Sequence, residues 1–126
     1  MSHFTRIKTK IRDLETVKAA LVTLGITKIE EGQNLQINGW QGAINKTNAV
    51  LKFKMPNGYE IGLSKADDDS YNVEGDLMMA NFNVQKLNKA YANITIRRAA
   101  EIQGFNVVEE IEQKDGSVKL VVELWT

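Results

Sequence analysis

The sequence of 126 residues contains no cysteine and a single histidine, and these absences exclude several kinds of chemistry. Without cysteine the chain forms no disulfide, holds no thiolate-bound metal and performs no thiol catalysis. The one histidine, His3, lies close to a chain terminus, where order is often poor, so we expect neither a serine–histidine–aspartate triad nor a multi-histidine metal site. No cofactor is predicted, and an enzyme would have to rely on carboxylates.

Charge of one sign and long apolar runs are also missing. The 16 basic and 16 acidic side chains cancel to a formal net charge of +0, whereas a non-specific nucleic-acid binder usually carries a basic surplus. No apolar run is long enough to cross a bilayer, and the first residues lack the apolar core of a signal peptide. We therefore expect one soluble intracellular domain over residues 1–126, with nucleic acid disfavoured as a partner and no membrane insertion.

Apolar spacing predicts an α+β fold, with an antiparallel β-sheet and two helices packed on one face. Two segments carry apolar residues every three or four positions and end at a glycine, Gly25 or Gly104, which is typical of helices. Residues 26–37 fit two short strands or one irregular strand. In chain order the predicted elements are a strand at 4–11, a helix at 13–25, the irregular segment at 26–37, a hairpin at 49–63, a strand from 71, a helix at 83–104 and a hairpin at 105–125.

The turn type sets the register that we predict for the first hairpin. Pro56-Asn57-Gly58 reads as a three-residue loop closed by a left-handed glycine, which pairs Phe53 with Ile61 and Leu51 with Leu63. A slip of one residue would put the apolar side chains on mixed faces, so this register is expected.

Two charged residues break the apolar pattern of the closing helix and hairpin. Arg98 lies in the middle of the apolar stripe of the helix. A two-residue Asp115-Gly116 turn places Glu109 opposite Val122, on the apolar face of the hairpin. Either the two charges pair with each other under the helix, or both lie at the rim and reach water.

Six residues form the predicted interaction set: Trp40, Ile96, Arg97, Arg98, Glu109 and Trp125. Trp40 lies between two glycines, where it could stack on a base or sugar or fold over the edge of the core. Ile96 and Trp125 face outward by periodicity, and a protein partner or a two-fold homodimer could bury them.

The leading functional prediction is a non-catalytic protein-interaction or adaptor module, because no nucleophile–base set, metal set or phosphate loop is found. The alternative is a nucleic-acid-binding module that uses the cations Arg6, Lys8, Lys10, Arg12, Arg97 and Arg98. The third hypothesis is an enzyme, with the carboxylates Glu60, Asp76 and Glu109 as candidate general bases. Asp67-Asp68-Asp69 fits a solvated turn or a cation site, but it lacks the alternate ligand spacing of a calcium loop.

Several short blocks of this sequence match the pattern of one known family. They are Ser2-His3-Phe4, Ile7-Lys8-Thr9, Ile11-Arg12-Asp13-Leu14, Asn38-Gly39-Trp40-Gln41-Gly42, Tyr59-Glu60-Ile61-Gly62, Tyr91-Ala92, Gln103-Gly104-Phe105, Asp115-Gly116-Ser117-Val118-Lys119-Leu120 and Trp125. In these blocks the chain resembles the hypothetical chloroplast open reading frame family, number thirty-five, of cyanobacteria and algal plastids. The resemblance implies a protein of a photosynthetic lineage, or of a virus that infects one, in the cytoplasm or plastid stroma. It implies no catalytic residue.

Overall fold

A computed structural model describes residues 4–39 and 42–124 of the chain. Within these ranges it contains seven strands and two helices, which confirms the predicted α+β class. In chain order they are β1 (Thr5–Lys8), α1 (Leu14–Thr23), β2 (Ile29–Asn38), β3 (Ile44–Lys54), β4 (Glu60–Lys65), β5 (Tyr71–Gly75), α2 (Val84–Ile102), β6 (Phe105–Glu112) and β7 (Val118–Leu124).

The first five strands form one antiparallel sheet in the order β1-β5-β4-β3-β2. β1 and β2 are therefore its two edge strands, and β1 pairs with β5 so that Thr5 lies opposite Gly75. β6 and β7 form a separate two-stranded sheet, which packs against α2 instead of extending the main sheet. The closing hairpin is thus an arm attached beside the long helix.

Both helices pack on one face of the main sheet and against each other. Asp13 caps α1 by accepting the N–H of Glu15, and Asn83 caps α2 by accepting the N–H of Lys86. These side chains satisfy amides that the first helical turn would otherwise leave unpaired. The side chains buried between helices and sheet include Val17, Leu21, Leu51, Phe53, Ile61, Leu63, Val73 and Leu87.

Three hairpins share one type of loop, three residues long with a positive φ at its last residue. Those last residues are Gly58, Asp69 and Gly116, and the residues before them are Asn57, Asp68 and Asp115. In each loop the side chain at the middle position accepts the N–H two residues further on. The register predicted for the β3–β4 hairpin is confirmed, with Phe53 opposite Ile61.

The register predicted for the β6–β7 hairpin is wrong because its turn is longer by one residue. The Gln113 N–H donates to the Ser117 carbonyl at 2.8 Å, which makes Lys114-Asp115-Gly116 a three-residue loop. The Asp115 carboxylate favours this loop because it accepts hydrogen bonds from both the hydroxyl and the N–H of Ser117. The same two bonds, the hydroxyl first, lower the pKa of Asp115. Glu109 consequently no longer lies opposite Val122.

The β2–β3 hairpin bends over the face of the sheet opposite the helices. β2 is one irregular strand, one of the two predicted alternatives, with register shifts after Glu31 and Leu35. The bend places the fully buried Ile37 on Gly62, where an added Cβ would lie 2.4 Å from the Ile37 Cδ1 atom. A larger residue at position 62 would force the Ile37 side chain to shift.

The three adjacent aspartates form the β4–β5 loop. Asp68 accepts hydrogen bonds from the hydroxyl and the N–H of Ser70 and forms an ion pair with Lys8 at 3.0 Å. These contacts, the Ser70 hydroxyl foremost, hold the pKa of Asp68 well below its usual range. In residues 4–39 and 42–124 no group of three or more acidic or histidine side chains could hold a metal ion. Asp68 of the triplet thus stabilises the turn through its hydrogen bonds to Ser70.

Candidate functional site

α2 presents three different faces to the rest of the protein. One face carries Leu87, Tyr91 and Ile94 into the core and against α1. A second face contacts the β6–β7 hairpin, and the third borders a groove beside β1. Successive helical residues turn by about 100°, so neighbours in sequence serve different faces.

The hairpin-facing side of α2 holds β6 through charged and polar side chains. Lys89 forms an ion pair with Glu112, and Arg97 forms one with Glu110. The Asn93 side-chain amide also donates to Glu110, at 2.9 Å. The spacing of four residues between these three helical positions aligns them along one side of the helix.

Of the two alternatives for Arg98 and Glu109, the pair under the helix is wrong, and both residues are exposed. Arg98 instead donates from Nη1 to the Thr16 hydroxyl at 2.9 Å, and Thr16 donates to the Asp13 carboxylate at 2.6 Å. The Thr16 hydroxyl is the main reason that the pKa of Asp13 is lowered, and the Arg98 charge adds to it. Arg98 therefore supports the amino-terminal end of α1.

Helix rotation and an irregularity in β6 explain this difference. The side chain that contacts the hairpin is that of Arg97, one residue before Arg98. In β6 a register shift lies between Val107 and Glu109, and it is Glu110 that faces α2 while Glu109 is exposed. The observed ion pair, Arg97 with Glu110, thus lies one residue away from the predicted pair on both α2 and β6.

Double-mutant cycles distinguish the two possible pairings by their coupling energies. For Arg98→Met with Glu109→Leu, we expect the changes in the free energy of unfolding to add within about 0.5 kcal/mol, because the residues share no contact. For Arg97→Met with Glu110→Leu, we expect a coupling of up to about 1 kcal/mol, since both side chains are partly solvated. Urea denaturation measures all the variants. A larger coupling in the first cycle than in the second would contradict the observed pairing.

A buried carboxylate anchors β1 to β5 on the face of the sheet opposite the helices. Glu74 is 0% exposed, and its Oε2 atom accepts from Arg6 Nε at 2.8 Å and from the Ser64 hydroxyl at 3.1 Å. Its Oε1 atom has no hydrogen-bond partner among the described residues. The Arg6 side chain, 58% exposed, carries the compensating charge.

Two of the three candidate general bases, Glu60 and Asp76, accept hydrogen bonds within the fold. Glu60 accepts the N–H of Asn38 at 2.8 Å and forms an ion pair with Lys52 at 3.2 Å. Asp76 accepts the N–H of Met79 at 3.2 Å. The third candidate, Glu109, is an exposed residue of β6.

Most cations of the predicted nucleic-acid-binding set have contacts within the protein. Arg6, Lys8 and Arg97 form ion pairs with carboxylates, and Arg98 binds the α1 terminus. Within residues 4–39 and 42–124, no carboxylate lies within ion-pair distance of Lys10 or Arg12. These two are the uncompensated cations of the set.

A groove of about 730 Å³ lies between α2 and the segment that leads from β1 to α1. Residues 8–11 line one side, and Asn88, Tyr91, Ala92, Thr95 and Ile96 line the other. Most of its wall is apolar, although Lys8 and Lys10 border it.

The groove is preformed because Tyr91 fixes the two walls to each other. Its hydroxyl accepts the N–H of Arg12 at 3.2 Å and the N–H of Asp13 at 3.1 Å. The small side chains of Ala92 and Thr95 leave the space between helix and strand open. Such a concave apolar site with few polar groups is typical of ligand-binding surfaces.

One of the predicted interaction residues, Ile96, lies in this groove, where it is 49% exposed. Trp40 and Trp125 lie outside the described residues. The sequence analysis named Lys10 only as a candidate nucleic-acid-binding cation, and it did not predict that Tyr91 and Ala92 line a groove. A stripe of small and polar residues at helical spacing, Asn88, Ala92 and Thr95, was the signal in the sequence.

In the described part of the chain no helix combines the length and apolar character that a membrane crossing requires.

Comparison with known proteins places the chain in a family. Residues 20–121 match the family model described as "Protein of unknown function (DUF1257)". Proteins named "Uncharacterized protein ycf35" are 33% identical in Pyropia yezoensis, 31% in Guillardia theta and 30% in Cyanophora paradoxa, each over 99% of this chain and 98% of the relative. No solved structure matches the chain. The chain therefore belongs to the DUF1257 family, as the resemblance of its sequence blocks predicted.

Proposed function

We propose that this protein is a non-catalytic protein-interaction module and that the groove between α2 and residues 8–11, which lead from β1 to α1, receives its partner. The observation that carries this proposal is a preformed apolar groove that begins at Lys8, the last residue of β1, which is an edge strand of the main sheet among the described residues. β1 itself carries an exposed apolar side chain, Ile7, at 40% exposure. Contiguous apolar surface next to polar residues is characteristic of protein interaction sites. We expect the module to act in the cytoplasm or the plastid stroma.

The pairing of the cations supports a protein partner over the nucleic-acid alternative. Arg6, Lys8 and Arg97 are already compensated by carboxylates, so releasing them to phosphates would break ion pairs within the fold. Lys10 and Arg12 alone are too few for a phosphate-binding stripe. Balanced net charge also gives a polyanion little long-range attraction.

A variant that fills the groove tests the proposal. Peptides selected on the wild-type protein from a phage-displayed library of random linear sequences should lose affinity by at least about tenfold for Ala92→Trp, because the indole occupies their site. Val22→Trp is the matched control, since it adds the same side chain at a 55%-exposed position of α1 outside the groove. Fluorescence anisotropy measures the dissociation constants.

Two results would contradict the proposed function. One is a failure of the peptide selection, in which either no peptide is enriched or the enriched peptides bind Ala92→Trp as well as wild type. The other is binding of a single-stranded oligonucleotide of random sequence with a steep salt dependence, which would favour the nucleic-acid reading. Circular dichroism melts of both tryptophan variants show whether a loss of binding reflects unfolding.

A further inference from the structure

We infer that the partner enters the groove as an extended segment that adds a strand to the free edge of β1. This inference rests on the proposed function and specifies how the same site binds. The proposed occupant is a partner segment that alternates apolar and acidic side chains, and not a helix or a second copy of this chain.

The outer edge of β1 can pair with another strand. Among the residues that the structure describes, β1 pairs only with β5, and all four residues of β1 are exposed. In a strand, alternate residues point their N–H and C=O groups away from the neighbouring strand, so the outer edge of β1 presents unpaired groups. An incoming strand satisfies these groups, whereas a helix, whose backbone groups are paired internally, does not.

The two cations of β1, Arg6 and Lys8, form ion pairs with the neighbouring strand and loop. Charged side chains commonly block such edges in native proteins. Both cations of β1, however, are drawn inward across the sheet: Arg6 to Glu74 of β5, and Lys8 to Asp68 of the β4–β5 loop. The edge therefore keeps its capacity to pair with another strand.

The wall of the groove gives the added strand its side-chain pattern. A strand paired to β1 would lie about 4.8 Å from it and present every second side chain towards α2. There Ala92 and Ile96 provide an apolar surface. The segment should therefore carry apolar residues at alternate positions, because these would be buried against the helix.

Charge specifies the remaining positions of the segment. Lys10 borders the groove and has no carboxylate within ion-pair distance among the described residues. An acidic residue on the partner would compensate it, and complementary charges set register and choice of partner. The partner is therefore a protein with an exposed apolar–acidic strand or tail.

Backbone methylation of a selected peptide tests strand addition directly. N-methylation removes one N–H donor at a time, so losses of at least about tenfold should recur at alternate residues, with little change between them. Among residues 5–8, the amides that point away from β5 should gain protection from hydrogen exchange when the peptide binds. Charge reversal completes the test: Lys10→Glu should weaken binding, and a peptide with its acidic residue changed to lysine should restore it. Lys46→Glu, at an exposed position of β3, is the matched control.

The outcomes separate the inference from the proposed function. If peptides bind and Ala92→Trp abolishes binding, but methylation shows no alternation and the β1 amides gain no protection, strand addition is wrong and the interaction module stands. If no peptide binds the wild-type protein, the proposed function itself fails. If light scattering shows a dimer that Ala92→Trp converts to monomer, the occupant is a second copy and the inference is overturned.

Discussion

Replacing Leu87 with alanine should lower the free energy of unfolding by about 3 kcal/mol, within the range usual for buried leucines. Leu87 is 0% exposed and lies where α2 contacts both the sheet and α1. The substitution removes apolar contacts and leaves a cavity that the surrounding side chains only partly fill. Urea denaturation gives the value, and an unchanged denaturant slope would show that the unfolded states are comparable.

Ile96→Ala on the same helix is the control for Leu87→Ala. Because Ile96 is half exposed, its truncation should cost under about 1 kcal/mol in stability while it weakens peptide binding in the groove. Leu87→Ala should thus mainly lower stability, whereas Ile96→Ala should mainly weaken binding. Equal destabilisation by the two substitutions would show that the groove face of α2 is packed rather than open.

The second large effect is expected from Arg6→Met, which removes the cation that compensates the buried Glu74 carboxylate. Breaking a fully buried ion pair costs about 3–5 kcal/mol. Since the Arg6 side chain is 58% exposed and water screens its charge, we expect the lower value of about 2–3 kcal/mol. Arg6→Met combined with Glu74→Leu should recover part of this loss, because no uncompensated charge then remains buried.

Lys8→Met provides the matched control on β1. Lys8 lies on the same strand and pairs with the exposed Asp68, so its removal should change stability far less than that of Arg6. Purely additive effects of Arg6→Met and Glu74→Leu would mean that the carboxylate does not depend on Arg6. Arg6→Met should also weaken peptide binding, because the ion pair holds β1 at the edge of the sheet.

The hairpins show where local sequence suffices and where it does not. Pro56-Asn57-Gly58 predicted the correct loop because a register slip would have exposed the apolar face of β3. Asp115-Gly116 is compatible with a two-residue and a three-residue loop, and the hairpin it closes is half exposed on both faces. Its register depended on hydrogen bonds to Ser117, which apolar alternation does not report.

The sequence by itself determined the α+β class, both helices and the absence of cysteine thiols, because these depend on composition, caps and short-range periodicity. Only the tertiary structure decided that Arg97 binds Glu110 while Arg98 supports α1. It also decided that Glu74 is buried and that a groove opens between α2 and residues 8–11. Such contacts depend on the rotation of a helix and on irregularities in distant strands. A change of one residue in either redirects a side chain, and no local pattern records it.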